Sequence, residues 1–300
     1  MFDYDVIIVG GGPAGLTAGL HLSRAGHRTL LLERELLGGN LKNVHRVDEG
    51  GPSGAQLASE LAEAVAQSGL RVEEAEATGI EVFSSTRWVA CRDGRGYSAA
   101  VVVVAAGSRC RRLGVPGEEL LLGRGVIDCT PCDGGFFVDR AVAVCGSDDQ
   151  ALADALYLAD LPARVTVLTR SAGLRADAAL LRRALAHPRV ETRTGARLDA
   201  ILGADRVEGV AFTDIATGRA ETLDVDGVVI RVGTLPNTAF LQGVVDLDPD
   251  GRVVADAGTE TSAPHVLAAG DIRGGSRPLV AAAVSDGTAA ARRAEQLLST

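Results

Sequence analysis

The stretch DVIIVGGGPAGLTAGLHLSRAGHRTLLLER, residues 5–34, predicts a β-strand, a glycine turn, an α-helix and a second strand. Gly10, Gly12 and Gly15 form a G-x-G-x-x-G motif before the helix, and Glu33 ends the second strand, 18 residues after Gly15. Such glycines permit a tight turn and let a pyrophosphate approach the helix N-terminus. A carboxylate at the position of Glu33 accepts a hydrogen bond from a ribose hydroxyl. The stretch therefore predicts a dinucleotide-binding unit; a glycine-rich turn without a ligand is the alternative interpretation.

A second unit of the same kind begins at Ala141, with the strand AVAVCG, the helix DDQALADALYLA and the strand RVTVLTR within residues 141–170. Its motif has the register Gly146-x-x-x-x-Ala151, which puts Asp148 at the position of the second glycine. A carboxylate there adds a side chain and a negative charge where a pyrophosphate should lie. The repeat predicts an α/β chain with two Rossmann-like domains, the second with a damaged nucleotide site.

Further elements follow the second unit. The pattern predicts an amphipathic helix at 179–187, several short strands that end with GVVIRVG at 227–233, a buried strand HVLAAGDI at 265–272, and a last helix at 279–298. The apolar run AAVVVVAAG at 99–107 has the length of a buried parallel strand.

Composition excludes several classes of protein. The 300 residues are 46% hydrophobic and 23% charged, which is typical of a globular protein of one large or two medium domains. A net charge of −9 argues against nucleic acid or an anionic membrane as the main partner. No apolar run reaches the roughly 20 residues that a membrane span needs, and a strand follows Met1 almost at once. We therefore expect a cytoplasmic protein.

The five cysteines fall into two groups. An odd number argues against a structural disulfide framework. Cys91, Cys110 and Cys145 lie in apolar or strand-like contexts and are predicted to be core residues. Cys129 and Cys132 form the C-x-x-C of DCTPCDGG, which predicts a redox-active pair, and no residue set predicts a metal site.

These motifs resemble those of the low-molecular-weight thioredoxin reductases, which are two-domain flavoprotein disulfide reductases. The matching stretches are GGGPAG at 10–15, GGNL at 38–41, VVAAG at 103–107, GRGV at 123–126, CTPCDGGF at 129–136, GTLPNT at 233–238 and LAAGD at 267–271. The resemblance implies a discontinuous FAD-binding domain, 1–112 and 240–300. It also implies a middle domain, 113–239, of degenerate NAD(P)H type that carries the C-x-x-C.

The resemblance also implies roles for individual residues toward FAD. It assigns cofactor contacts to Gly10, Gly12, Pro13, Ala14, Gly15, Glu33, Arg34, Gly39, Asn40, Leu41, Gly107, Asp271, Arg277, Pro278 and Leu279. The family usually has Arg-Gln-Ala at the turn 277–279, so that Pro278 removes one backbone donor to the flavin. His45 stands where the family tends to have threonine. It is a candidate flavin-side acid or base, with a surface or core role as the alternative.

The middle domain departs from the NADPH-using members. They carry paired arginines after the second strand of this domain, whereas TRSAGLRA at 169–176 keeps Arg170 and Arg175 but has Thr169 and Ser171. Fewer charge-assisted bonds weaken a phosphate clamp. Together with Asp148, this predicts that NADPH binds weakly or not at all and that the half-domain serves as a scaffold.

Without NADPH, the cysteine pair and the flavin can oxidise a dithiol instead of reducing a disulfide. The chain resembles the gliotoxin- and holomycin-type FAD-dependent dithiol oxidases, which catalyse this reaction. We expect a small-molecule, natural-product dithiol to form a mixed disulfide with the Cys129–Cys132 pair. Cys132, nearer the flavin by family position, reduces FAD, Asp133 carries protons, and O2 reoxidises the flavin to give H2O2. The resemblance also implies a homodimer.

Two other functions stay open at this stage. One is a thioredoxin reductase that uses NADPH or another electron donor such as ferredoxin. The other is a non-catalytic flavin-binding sensor, in which the cysteines would be dispensable.

Overall fold

The computed structural model describes residues 3–47 and 51–299. The chain divides into two compact units, Met1–Arg109 with Leu235–Thr300 (the terminal unit) and Cys110–Thr234 (the middle unit). The expected boundaries, after residues 112 and 239, lie slightly later than the observed ones. The returning chain joins the terminal unit early because the Asn237 N–H donates to the Gly107 carbonyl at 3.0 Å. The Arg111 N–H, by contrast, donates to the Gly233 carbonyl within the middle unit at 2.9 Å.

The strands are numbered in chain order: β1 (Tyr4–Val9), β2 (Thr29–Glu33), β3 (Arg71–Glu74), β4 (Ala77–Val82), β5 (Arg87–Cys91), β6 (Gly96–Val104), β7 (Ser108–Cys110), β8 (Val126–Ile127), β9 (Ala141–Gly146), β10 (Arg164–Thr169), β11 (Val190–Thr194), β12 (Ala196–Leu202), β13 (Gly209–Asp214), β14 (Ala220–Leu223), β15 (Gly227–Arg231), β16 (Thr234–Pro236) and β17 (Val266–Ala268).

The α-helices are α1 (Pro13–Arg24), α2 (Gly54–Ser68), α3 (Thr130–Asp133), α4 (Asp149–Asp160), α5 (Ala178–Ala186) and α6 (Val280–Leu298). Short 3₁₀ turns lie at Gly39–Asn43, Gly134–Phe137, Ala239–Leu241 and Gly270–Ile272. Within the described ranges, no helix is both long and apolar enough to cross a membrane.

The terminal unit is built on a seven-stranded sheet of order β3-β2-β1-β6-β5-β4, with β17 also paired to β6. Its centre is parallel: β1 pairs with β2 and with β6, and β17 pairs with β6. The apolar run predicted as a buried strand is β6, whose Val101 to Val103 are fully buried. Helices α1 and α6 contribute to the core on one face of the sheet. A parallel centre places the carboxyl ends of the strands along one edge, where α/β folds bind ligands.

The middle unit repeats this plan in a five-stranded parallel sheet of order β11-β10-β9-β15-β8. Helix α4 follows β9 and buries its Ala and Leu residues in the core of this sheet. A separate three-stranded antiparallel sheet, β12-β13-β14, completes the unit. The predicted fold class, two Rossmann-like α/β units with a discontinuous first one, is confirmed.

Candidate functional site

A cavity of about 740 Å³ lies in the terminal unit, where β1, β2 and β6 end. Most of the predicted cofactor residues line it: Gly10, Gly12, Pro13, Ala14, Glu33, Arg34, Gly39, Asn40, Leu41, Gly107, Asp271, Pro278 and Leu279. Its volume lies in the range of small-molecule and cofactor sites, and it occupies the sheet edge that such folds use. The fold thus brings these residues to one cavity, and the individual cofactor contacts remain predictions.

The glycine turn leaves the N-terminus of α1 open. Gly12 is the N-cap residue, with φ −77° and ψ −176°, and no side chain caps the helix. A Cβ on Gly12 would meet no atom within 4 Å. Gly10 has φ +109°, and a Cβ there would overlap the Ala105 carbonyl, so the turn requires glycine. The amides of the first turn therefore face space that an anion can occupy.

Glu33 is fixed beside this turn. Its Oε2 accepts from the Gly11 N–H at 2.6 Å, and its Oε1 accepts from the Glu35 N–H at 2.9 Å. Each carboxylate oxygen can accept more than one hydrogen bond, so a ribose hydroxyl can be bound in addition. The side chain is half-buried and lines the cavity. Its position agrees with the predicted contact to a ribose.

Asp271 closes the opposite side of the site, on the turn after β17. Burial raises the pKa of this carboxyl, although the Ser108 hydroxyl donates to its Oδ2 at 3.4 Å and lowers the pKa in part. The turn is anchored by Asp286, which accepts from the Gly270 N–H at 3.1 Å and pairs with Arg273 at 2.7 Å. A half-buried acid on a turn held in this way is suited to accept hydrogen bonds from hydroxyl groups of a ligand.

Two predicted cofactor residues, Gly15 and Arg277, are not part of the cavity lining, and neither is the acid–base candidate His45. Gly15 lies behind the turn, where a Cβ would overlap the Gly10 carbonyl, so it is required for packing of the turn. Arg277 instead contributes its carbonyl, which accepts from the Leu279 N–H at 2.8 Å. His45 is half-buried outside the lining, and its predicted flavin-side role gains no support from this geometry.

The turn 277–279 offers few donors to a ligand. Pro278 has no N–H, and the Leu279 N–H is engaged by the Arg277 carbonyl. The sequence predicts that Pro278 removes one hydrogen-bond donor to the flavin. The neighbouring Leu279 N–H is occupied as well, so the turn lacks a second free donor.

Several polar lining residues were not among the predicted ligands, and Ser108 and Asn237 are two of them. The Asn237 amide donates to the Ala106 carbonyl at 2.7 Å, which brings a distant segment to the end of β6. Asn237 stands in the motif GTLPNT, so a signal was present, but only the tertiary fold reveals that this motif borders the cavity.

The N-terminus of α4 in the middle unit is closed. Its N-cap residue is Asp148, with φ −99° and ψ −176°, and its side chain accepts from the Ala151 N–H at 3.1 Å. The carboxylate therefore satisfies an amide that a phosphate would otherwise approach, and its charge opposes an anion.

The loop between β10 and α5 is tied to the same turn. The Arg175 N–H donates to the Ser147 carbonyl at 2.6 Å, and the Asp177 N–H donates to Asp149 Oδ1 at 2.6 Å. This loop carries the arginine segment 169–176, and its backbone bonds hold it against the turn. The structure thus places the arginine segment beside the turn that Asp148 caps.

The redox pair lies in the middle unit as a disulfide between Cys129 and Cys132, with a Cα–Cα distance of 5.3 Å. Cys129 is only 8% exposed, whereas Cys132 is exposed. Cys129 is the N-cap residue of α3, and its sulfur accepts from the Cys132 N–H at 3.2 Å. Asp133, half-buried, ends the same helix. One sulfur is therefore accessible, and the other is stabilised by a backbone donor.

The remaining cysteines differ from one another. Cys91 and Cys145 are buried, as predicted, and burial raises the pKa of the Cys145 thiol to about 12. Cys110 is only half-buried and lies 3.6 Å from the guanidinium Nη1 of Arg231, so its prediction as a core residue is wrong. A half-exposed strand position next to a cation, rather than an apolar environment, explains the difference.

The terminal unit fits the FAD that the sequence resemblance implies. An open helix N-terminus suits a pyrophosphate, the Glu33 carboxylate suits a ribose, and the glycine turn leaves the space that both need.

Comparisons with known proteins agree with this. A family model for pyridine nucleotide-disulphide oxidoreductases matches residues 4–287. The thioredoxin reductase of Treponema pallidum is 35% identical over 303 residues, covering 99% of this chain and 98% of that protein. An alkyl hydroperoxide reductase component of Staphylococcus epidermidis is 33% identical over 275 residues, 90% of this chain, which spans only 54% of the length of that relative.

Solved structures give the same result. The crystal structure of Lactococcus lactis thioredoxin reductase matches with a TM-score of 0.92 and 30% identity over 99% of both chains. The bacillithiol disulfide reductase of Bacillus cereus matches with a TM-score of 0.80 and 25% identity, covering 98% of this chain and 99% of that one. The likeness to thioredoxin reductases and the FAD cofactor are confirmed, whereas the closer relation to dithiol oxidases stays a prediction.

Proposed function

Because the chain belongs to the pyridine nucleotide-disulphide oxidoreductase family as a thioredoxin reductase-like flavoprotein with FAD as its cofactor, we propose that it reduces a disulfide substrate through Cys129 and Cys132. The observation that carries this proposal is the disulfide between these residues, of which Cys132 is exposed. The terminal unit of the same chain has a cavity that fits FAD. The names of the relatives favour this reductase over the oxidase that the sequence alone favours.

The exchange begins at the accessible sulfur. With the pair reduced, the Cys132 thiolate attacks the substrate disulfide, and one substrate sulfur leaves as a thiolate. Cys129 then attacks the Cys132 sulfur, the Cys129–Cys132 bond forms, and the second substrate thiol leaves. Two electrons pass to the substrate, which takes up two protons. When bound, FAD would supply the two electrons that reopen the Cys129–Cys132 disulfide, and a reduced electron carrier such as a ferredoxin, rather than NADPH, would restore them.

Two groups of the chain serve the proton and charge balance. The Cys132 N–H that bonds the Cys129 sulfur stabilises negative charge there and favours the thiolate form of Cys129, which attacks the Cys132 sulfur in the second step. Asp133 follows Cys132 directly in the sequence, and we assign to its carboxylate the proton transfer to the departing thiolate that the family resemblance implies.

A second candidate, the dithiol oxidase, is favoured by one observation, the Asp148 side chain that caps α4. Without NADPH, electrons can enter as a substrate dithiol that attacks Cys132. The substrate loses two S–H hydrogens and gains an S–S bond, while O2 takes up two electrons and two protons to become H2O2. The exchange steps at the cysteines are the same in reverse.

One experiment separates these functions. The holoprotein is reduced with dithionite under nitrogen, freed of excess reductant, and mixed with one equivalent of oxidised thioredoxin or of a small cyclic disulfide. We expect about two new thiols on the substrate. An unchanged substrate, together with one H2O2 per disulfide when a small dithiol is supplied in air, would favour the oxidase. No reaction in either arm would favour the flavin sensor.

Trapping tells which sulfur meets the substrate. Cys129→Ser keeps the exposed thiol and should accumulate a mixed disulfide, seen by mass spectrometry, whereas Cys132→Ser should not. Both should retain FAD, and Cys91→Ser is the matched control. Accumulation in Cys132→Ser instead would assign the exchange to Cys129 and leave Cys132 for the flavin side, as the sequence resemblance implies.

A further inference from the structure

A buried ion pair lies next to the redox segment in the middle unit. Arg231 ends β15 and is paired through Nε with Asp154 Oδ2 of α4 at 2.6 Å. The two side chains are 1% and 0% exposed. A buried ion pair loses its hydration, and its two charges compensate for that loss only when the remaining N–H donors also form hydrogen bonds.

The terminal nitrogens of the Arg231 guanidinium contact the segment that carries Cys129 and Cys132, which we call the redox segment. Its Nη2 donates to the carbonyl of Asp128, the residue before Cys129, at 2.9 Å. Its Nη1 donates to the Ile230 carbonyl at 3.2 Å and contacts the Cys110 sulfur at 3.6 Å. The planar guanidinium therefore joins α4 and β15 to the backbone that presents the disulfide, a geometry that lysine cannot reproduce.

Stability alone does not account for this arrangement. Replacement of a buried ion pair by apolar side chains of similar size is often neutral or stabilising. The Asp128 carboxylate is paired with a different cation, Arg112, at 2.9 Å. The guanidinium of Arg231 is bonded instead to the backbone carbonyl of Asp128.

We propose, as an extension of the proposed function, that Arg231, held by Asp154, is a positioning residue that sets the redox equilibrium of the Cys129–Cys132 pair. It acts through the Asp128 carbonyl, which shares a peptide unit with the Cys129 N–H. A cation bonded to this carbonyl strengthens the peptide dipole and fixes Cys129 where the Cys132 N–H meets its sulfur. The thiolate that forms on Cys129 when the disulfide opens is thereby favoured.

The test uses the FAD-loaded protein and needs no substrate or NADPH. Arg231→Met/Asp154→Leu removes the pair without leaving a buried charge. The holoprotein is equilibrated anaerobically with glutathione buffers, alkylated and analysed by mass spectrometry. We expect the dithiol–disulfide equilibrium to shift about tenfold toward the disulfide, and alkylation of Cys129 to move about one unit higher in pH. Arg197→Met, which removes an exposed guanidinium of the same unit, should change neither.

Arg231→Lys is the second variant. It keeps the charge beside Asp154 but cannot also bond the Asp128 carbonyl, so we expect a shift in the same direction but smaller. If both variants fold and the equilibrium and the alkylation profile equal those of the wild type, the proposal is overturned and the pair is structural. A wild type that exchanges with no substrate would instead defeat the proposed function, because these equilibrium readouts do not depend on turnover.

Discussion

The N-termini of α1 and α4 have nearly the same backbone and opposite chemistry. Both follow a strand that pairs in parallel with both of its neighbours, and both N-cap residues have ψ −176°. In each turn the first glycine packs against the carbonyl of a neighbouring segment, Ala105 for Gly10 and Arg231 for Gly146. The second position differs: Gly12 leaves the amides of α1 open, whereas the side chain of Asp148 accepts from the first turn of α4.

This contrast predicts that a Rossmann turn can keep its fold and lose its ligand through one side chain. An acidic N-cap stabilises its own helix by about 1 kcal/mol, whereas an anion at the same amides needs an uncapped, uncharged position. The Asp148 carboxylate stabilises the middle unit as a scaffold. A carboxylate at the equivalent position of the terminal unit, residue 12, would prevent that unit from binding its cofactor.

The largest effect is expected from transfer of this carboxylate to the first unit. In Gly12→Asp the new charge lies where the pyrophosphate binds, and we expect FAD affinity to fall about 100-fold or more. The measurement is flavin content after purification and FAD titration of the apoprotein. Gly173→Asp, at a loop glycine whose Cβ would be in open space, is the matched control and should stay yellow. Full flavin content in Gly12→Asp would refute the role given to the open turn.

Removal of the acid beside the turn should have a smaller effect. Glu33→Gln loses the charge-assisted bonds to the Gly11 N–H and to a ribose, so FAD binding should weaken about tenfold. Calorimetric titration of the apoprotein measures this, with the exposed Glu63→Gln as control. Unchanged affinity would mean that Glu33 only shapes the turn.

Restoration of the second site tests the same contrast from the other direction. Asp148→Gly/Ser171→Arg opens the amides of α4 and adds a phosphate partner, and we expect NADPH affinity to rise about tenfold. Asp148→Asn keeps the cap without the charge. If it gains as much affinity as the double variant, repulsion alone closed the site; no gain in either variant would place the block in the loop 170–177.

The cap itself should be visible in stability. Asp148→Ala should lower the free energy of unfolding by about 1 kcal/mol, because the Ala151 N–H loses its acceptor. Asp148→Asn should remain near the wild type. Chemical denaturation measures both, and equal stability of all three proteins would remove the capping explanation.

The smallest effect concerns Asp271 and pH. Because burial raises the pKa of this carboxyl in the folded protein, its contribution to stability is present below its unfolded pKa and is lost as pH rises through the folded pKa. Asp271→Asn should therefore make the apoprotein relatively more stable as pH increases across this window, and the Glu63→Gln protein should show no such trend. Denaturation of apoprotein at several pH values measures this, and a parallel pH dependence in wild type and Asp271→Asn would contradict it.

The parts of the molecule that follow local patterns were predictable from sequence. The strand, turn and helix of each Rossmann unit, the place of Glu33 at the end of β2 and the anomaly at Asp148 all depend on neighbours in the chain. Helix α2 was missed, although Ser53 and Gln56 form a capping box before it, a signal that the sequence carries. Asn237 was missed as a lining residue because its place at the end of β6 depends on a long-range return of the chain.

Burial and ion pairing were the least predictable. The sequence predicts Cys110 as an apolar strand residue, yet it lies beside the Arg231 guanidinium. The ion pair between Arg231 and Asp154 joins residues of different elements. No periodicity encodes such a contact.

The central claim is that the middle unit does not accept electrons from NADPH. The direct measurement is flavin absorbance of the holoprotein, mixed anaerobically with NADPH in stopped flow and then with dithionite. We predict no rapid bleaching by NADPH and full bleaching by dithionite, which shows that the flavin itself can be reduced. Rapid, stoichiometric reduction of the flavin by NADPH in the wild-type protein would contradict this account.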